Sequence, residues 1–316
     1  MKTAYLTSPL FLEHYTGSGH PERPERLVSI QKNLQQSGLW NELTHLPFEA
    51  ATAADLELCH TPQHVARVKS MAQSGGGALD GDTIISPRSF DAAALATGAA
   101  MHALDAVWSG EVDNAFVAER PCGHHAESGR RAGSPWGFCL FNHVAIAARH
   151  AQQKWGIERV AILDFDVHHG NGSQEIFYED PSVFFASIHQ SPLFPYQGAF
   201  EEKGAGEGLG TTLNIPLPAG SDGALYRRAW EQVRMAVEKF QPQLILLSAG
   251  YDAHRSDPLA HMHLEVEDFA ALVSEAKSWA GSLCDGKLVA VLEGGYNLNA
   301  LTESVAATLQ VLKADN

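Results

Sequence analysis

Six short apolar runs constrain this chain more than any other feature: Ala4-Tyr5-Leu6, Ala115-Phe116-Val117, Val160-Ala161-Ile162-Leu163, Val183-Phe184-Phe185, Leu244-Ile245-Leu246-Leu247 and Leu288-Val289-Ala290-Val291-Leu292. Short runs of β-branched, aromatic and aliphatic side chains read as buried strands. Between them lie helical patterns from Glu25 to Gln36, Ala92 to Trp108, Asn142 to Trp155, Asp222 to Phe240, Glu265 to Ala280 and Asn299 to Lys313, each with apolar residues three and four apart. Strands that alternate with helices predict an α/β fold around a mostly parallel sheet. No internal repeat, low-complexity linker or compositional break divides the chain, so one domain over residues 1–316 is the expected organisation. With 45% apolar and 19% charged residues, it has the material for one large core.

The formal net charge of -15 disfavours nonspecific contact with nucleic acid; an acidic balance mainly confers solubility. Cys59, Cys122, Cys139 and Cys284 contain no CxxC pair, which argues against a disulfide framework or a thiolate zinc site and fits a reducing compartment. The segment Met1 to Leu10 has no long apolar run, and nothing elsewhere approaches the roughly 20 apolar residues of a membrane span. A cytoplasmic protein without a membrane partner is expected.

In open parallel sheets, ligands bind beyond the carboxyl ends of strands, so the residues after each apolar run carry the most information. After Leu163 comes Asp164-Phe165-Asp166-Val167-His168-His169-Gly170-Asn171-Gly172, where a period of two puts Asp164, Asp166 and His168 on one face. Carboxylate and imidazole at i and i+2 suit a divalent metal, and Asp252, after the run ending at Leu247, is the candidate third ligand. A lone Asp-x-His is as often a strand-end cap or loop hydrogen-bonder. Three features weigh against that alternative. His124-His125 follow another strand and suit proton transfer. Glu293-Gly294-Gly295-Tyr296 follow the last strand, where the glycines permit close approach of a phenol. Asp164 can fix the tautomer of a histidine from behind. The irregular stretches Ser74 to Ser89 and Gln190 to Gly210 are expected as loops at the rim.

These residues resemble the histone deacetylase family over nearly the whole chain, through His20 to Leu27, Gly123-His124-His125-Ala126, Gly137-Phe138-Cys139, Asp164 to Gly172, Ser248 to Asp252 and Glu293 to Tyr296. The pattern is most similar to the class II branch, its bacterial relatives and the acetylpolyamine amidohydrolases. The resemblance implies the arginase-deacetylase fold, with a central eight-stranded sheet flanked by helices. It implies one Zn2+ held by Asp166, His168 and Asp252, although the same donors accept Fe2+ or Co2+. It also implies structural K+: an inner site at Asp164, Ser187 and the carbonyls of Asp166, His168 and Ile188, and an outer one near Phe177 and Val183.

By the same comparison, His125 is general base and then acid, His124 acts through its charge with Asp164 behind it, Asn171 orients His125, and Tyr296 donates to the oxyanion. Substrate-binding positions are Gly137 and Phe138, Phe194 as a second aromatic wall, Asp82 at the rim and Arg26 in an internal channel. Phe194 reads equally well as core. Leu259 occupies the place where polyamine-specific relatives carry an acidic gatekeeper. The implied function is zinc-dependent hydrolysis, by metal-activated water, of the amide of N-acetylated or acylated lysine or a similar aliphatic amine. The alternatives are an acetylpolyamine amidohydrolase and a catalytically silent acyl-lysine binder. A binuclear manganese ureohydrolase needs further carboxylates where Gly250 and Asn171 stand. The acylated amine is the expected partner, and a homo-oligomer is allowed.

Overall fold

All six apolar runs form strands of one parallel sheet, and a seventh joins its edge. The computed structural model describes residues 1–315. Its first half contains β1 (Thr3–Leu6), α1 (Glu25–Gln36), α2 (Ala53–Leu56), α3 (Pro62–Gln73), β2 (Gly77–Ala78), β3 (Ile84–Ile85), α4 (Ser89–Ser109), β4 (Asn114–Val117) and α5 (His143–Trp155). The second contains β5 (Val160–Asp164), α6 (Asn171–Phe177), β6 (Val183–Gln190), β7 (Thr212–Leu217), α7 (Gly223–Phe240), β8 (Leu244–Ala249), α8 (Val266–Leu283), β9 (Leu288–Leu292) and α9 (Leu298–Lys313). The main sheet has the order β1-β4-β9-β8-β5-β6-β7, and all its pairings are parallel. β2 and β3 form a separate antiparallel hairpin.

The expected eighth strand does not form among the described residues. The edge beyond β1 carries only a one-residue parallel bridge at Thr44, whose N–H and C=O pair with Thr3 and Tyr5. Pro47 follows closely and has no N–H with which to extend a ladder. β7 escapes the apolar-run criterion because Thr212, Asn214 and Pro216 interrupt it, and its proline is tolerated at the sheet edge.

The helices fall into two packed groups, α1 with α9, α8 and α7, and α2 to α6, and members of both contact the sheet. Strands β4, β5, β6, β8 and β9 are buried along their whole length, as a sheet covered on both faces requires. Side-chain caps fix several helix starts: Asn142 accepts the Ala145 N–H, Asp222 that of Leu225, and Asn297 that of Ala300. No described helix is long and apolar enough to cross a membrane.

Register positions the chemistry. Asp164 pairs with Ser248 of β8 on one side and Ser187 of β6 on the other, so β5 and β8 end within one residue of each other while β6 runs on to Gln190. Leu292 pairs with Ala249, and Val117 with Val291. The segments after β4, β5, β8 and β9 therefore leave the same edge of the sheet side by side.

Candidate active site

Asp166, His168 and Asp252 form a buried cluster whose candidate ligand atoms all lie within 4.8 Å of one another. His168 Nδ1 stands 3.1 Å from both Asp166 Oδ1 and Asp252 Oδ2. The remaining carboxylate oxygens are held by backbone: Gly294 N–H donates to Asp166 Oδ2 at 2.7 Å and Val167 N–H to Asp252 Oδ1 at 2.8 Å. A β-carbon on Gly294 would meet Asp252 Oδ2 at 2.1 Å, and one on Gly250 would meet Asp166 Oδ2 at the same distance. Glycine at both positions lets backbone close over the carboxylates, and Gly250 leaves no room for a second set of acidic ligands.

The electrostatics fit a cation. Burial alone would lower the imidazole pKa of His168, yet the two carboxylates hold it up at about 10. Burial and the charge of Asp166 push Asp252 up to about 7, whereas neighbouring His124 and His168 outweigh burial and depress Asp166. Two fully buried carboxylates against one imidazole leave negative charge that a divalent ion would neutralise.

The paired histidines sit in opposite protonation environments. Burial opposes charge on His124, but Asp164, whose Oδ2 lies 2.9 Å from Nδ1, together with Asp166 and Glu293, raises its pKa well above the ordinary value. Burial pushes Asp164 itself up to about 6 against the opposing pull of His124. His125 is driven well down by burial and by the charges of His124 and His168. Its Nδ1 lies 2.7 Å from Asn171 Oδ1. The Asn171 amide is oriented by its own Nδ2, which donates to Glu127 Oε1 at 3.0 Å and to the carbonyls of His125 and Pro135. Oδ1 must then accept from His125 Nδ1–H, leaving Nε2 as a free base.

Four carboxylates support the site in roles that no motif assigns to them. Glu293 Oε2 accepts the N–H groups of Gly123 and His124, Glu127 holds Asn171, and Asp257 Oδ2 accepts the Tyr296 N–H at 2.8 Å. Glu22 lies among buried cations: its Oε1 accepts from Arg120 Nε at 2.5 Å and Arg26 Nη1 at 3.3 Å. The position of Glu293 directly after a strand and before two glycines, and the Asp257-Pro258 turn signal, were the available clues.

A cavity of about 240 Å³ opens onto His168 of the three-residue cluster, lined by Asp82, His125, Gly137, Phe138, His168, Leu193, Phe194, Tyr196, Leu259 and Tyr296. Phe194 lies edge-on to His125 at 5.2 Å, and Phe138 edge-on to Tyr296 at 6.0 Å, so both aromatics face this space. Phe138 has a left-handed backbone (φ 70°), and a β-carbon on Gly137 would strike the His125 ring at 2.2 Å. Asp82 is exposed at the rim; partial desolvation of its carboxyl and the nearby Asp80 raise its pKa. Arg26 is fully buried beneath Tyr296, 5.2 Å from the ring centroid, and donates to the carbonyls of Gly295 and Glu293. Burial, Cys122 and Asp252 keep the Tyr296 phenol protonated far above its ordinary range despite Arg26. A larger cavity of about 1050 Å³, between Arg130, Arg131, Glu179 and Glu202, touches Asn171 but is lined by none of Asp166, His168, Asp252 or the paired histidines.

Of the residues assigned to potassium, Asp164 and Ser187 are register partners on β5 and β6, with Ile188 next in chain. Ser187 Oγ pairs with His189 Nδ1 at 3.0 Å, and Asp164 Oδ1 accepts the Asp166 N–H at 3.1 Å. Phe177 ends α6 and Val183 begins β6, bracketing the turn between them.

Fold and site define a class: α/β proteins with two carboxylates and an imidazole suited to a metal, and a histidine pair, at the carboxyl edge of a parallel sheet. A histone deacetylase domain matches residues 20–312. A probable deacetylase of Archaeoglobus fulgidus is 42% identical over 302 residues, spanning 94% of this chain and 82% of its own. The polyamine deacetylase HDAC10 of Homo sapiens is 40% identical over 307 residues, 93% of this chain and 45% of that longer protein. The crystal structure of the HDA15 HD domain matches with a TM-score of 0.92 at 34% identity, over 98% of this chain and 88% of that one. The chain belongs to the histone deacetylase family.

Proposed function

We propose that the chain is a zinc-dependent deacylase, a single catalytic domain that hydrolyses the amide of acylated lysine. One observation carries the reading: the Asp166, His168 and Asp252 cluster lies at a pocket that also presents a neutral imidazole, a protonated phenol and two aromatic walls. A divalent cation held by those three residues supplies Lewis acidity toward the amide carbonyl and toward water. His125 Nε2 is placed to take a proton from the attacking water and return it to the departing nitrogen. His124, kept cationic by Asp164, stabilises the negative charge that develops beside it. Tyr296 O–H donates to the carbonyl oxygen as it gains charge. Phe138 and Phe194 enclose the methylenes of the amine side and exclude water. Potassium at Asp164 and Ser187, and near Phe177 and Val183, belongs to the same proposal, as does a cytoplasmic setting.

Leu259 favours acyl-lysine over an acetylated polyamine, because an apolar side chain at that position supplies no counter-charge for a distal ammonium, and the one carboxylate lining the pocket, Asp82, stands exposed at its rim. The human relative's name is the specific ground for the polyamine alternative. Comparison of kcat/KM across acetyl-lysine peptides, longer acyl-lysines, acetylputrescine and acetylspermidine decides between them. Acetylpolyamines winning by a wide margin would overturn the lysine reading, and no turnover of any member with zinc present would leave a silent binder.

A further inference from the structure

We propose that Tyr196 is a specificity-determining residue that receives the peptide flanking the acylated lysine; this rests on the acyl-lysine reading above. The side chain is 80% exposed, the most exposed of the large apolar residues described, and of that group it alone borders the 240 Å³ pocket. Its backbone lies in the left-handed region at φ 61°, a conformation that suits glycine and is costly for a bulky residue. The Tyr196 N–H closes a turn onto the Leu193 carbonyl at 2.8 Å, and Leu193 and Phe194 within that turn line the same pocket. The loop thus holds a bulky ring at the lip of the pocket in a conformation glycine would adopt more readily. Strain of this kind, concentrated at a binding site, points to function.

The chemistry of the lip identifies the occupant. The pocket itself has room for the acyl group and the aliphatic stem, so the remainder of a longer substrate must lie outside. There it meets the Asp82 carboxylate, an acceptor for main-chain N–H groups, and the apolar faces of Tyr196 and Leu259. A peptide offers both amide donors and apolar side chains to such a surface. A free polyamine could pair an ammonium with Asp82 but offers no apolar branch to Tyr196 and Leu259, so the ring is what selects a peptide.

The test compares KM for an acetyl-lysine pentapeptide with KM for Nε-acetyl-lysine amide, in the zinc-loaded enzyme and in Tyr196→Gly and Tyr196→Phe. Glycine is chosen because it keeps the left-handed turn while removing the ring. The ratio of the two KM values should rise about three- to tenfold in Tyr196→Gly, the range of a single aromatic contact, and stay within about twofold in Tyr196→Phe. An unchanged ratio in Tyr196→Gly, or equal rises in both KM values, overturns the assignment. So does a rise confined to acetylspermidine, which would make the occupant an amine. Wild-type turnover of the pentapeptide with an unmoved ratio sinks only the role of Tyr196; absence of wild-type turnover on every substrate sinks the acyl-lysine reading and this inference together.

Discussion

Replacing Gly294 with alanine should cripple zinc binding while leaving the sheet intact. The new β-carbon would sit 2.1 Å from Asp252 Oδ2 and 2.5 Å from Asp166 Oδ2, and neither carboxylate can swing freely. Asp166 Oδ2 is held by the Gly294 N–H itself and Asp252 Oδ1 by the Val167 N–H. To regain an ordinary contact of about 3.4 Å, the Asp252 oxygen must retreat about 1.3 Å, against a tolerance of about 0.2 Å in metal–ligand distance. One ligand is therefore lost or badly displaced. The accompanying loss of a hydrogen bond to a carboxylate costs about 1.5–3 kcal/mol in the folded protein. Zinc affinity should fall at least about 100-fold, beyond what loss of a supporting hydrogen bond alone produces. The assay is zinc competition against a chelator of known affinity, with Tm of the metal-free protein as the check on folding. Gly81→Ala serves as control, because a β-carbon there meets nothing within 4 Å. Near wild-type zinc affinity in Gly294→Ala would refute the close-approach reasoning.

Tyr296→Phe should keep its Tm within a degree or so but lose about 100- to 1000-fold in kcat, the usual cost of an oxyanion donor; wild-type kcat on a good peptide substrate would dismiss that role. His125 must be unprotonated to act, and burial with its cationic neighbours drives its pKa well below 6.5. Activity should accordingly persist as pH falls, with the acid limb of kcat/KM below pH 6.5; an acid limb at or above neutrality would contradict the environment assigned to it. Asn171→Ala should lower kcat about 10- to 100-fold with little change in KM, since the tautomer is no longer imposed on His125, and a pure KM effect would point elsewhere. Glu22→Gln removes the charge between the buried Arg120 and Arg26 and should cost about 3–5 kcal/mol of stability in denaturant unfolding. Burial would raise the Glu22 carboxyl, but Arg120 and His14 hold it well below 4.5, so its stabilisation is complete above that pH and fades only as pH falls through the depressed value. A stability change under 1 kcal/mol at pH 7 would show the network to be dispensable.

The parts of this protein that were readable from sequence share a physical cause. Buried strands β5, β8 and β9 are built on the unbroken apolar runs 160–163, 244–247 and 288–292, and a parallel sheet brings the residues after such runs to one edge. Asp166, His168, Asp252 and Tyr296 stand in those positions. Helix α3 stayed hidden because Gln63, His64, Arg67 and Lys69 blur its period, although Thr61 and Pro62 mark its start. Helix α6 is short and begins Asn171-Gly172, which reads as loop. The supporting carboxylates were harder for a different reason. Glu293 serves amides 170 and 169 positions away, and a backbone amide leaves no mark in the sequence. Phe194 could be placed against His125 only by the fold of an irregular, proline-rich loop. Sheet periodicity thus announces groups that leave the strands directly, whereas groups delivered by loops, or acting through main-chain donors, become legible only in three dimensions. Tyr196 belongs to the second kind: its sequence neighbours suggest a turn, and only its place at the lip of the pocket gives the exposed ring a task.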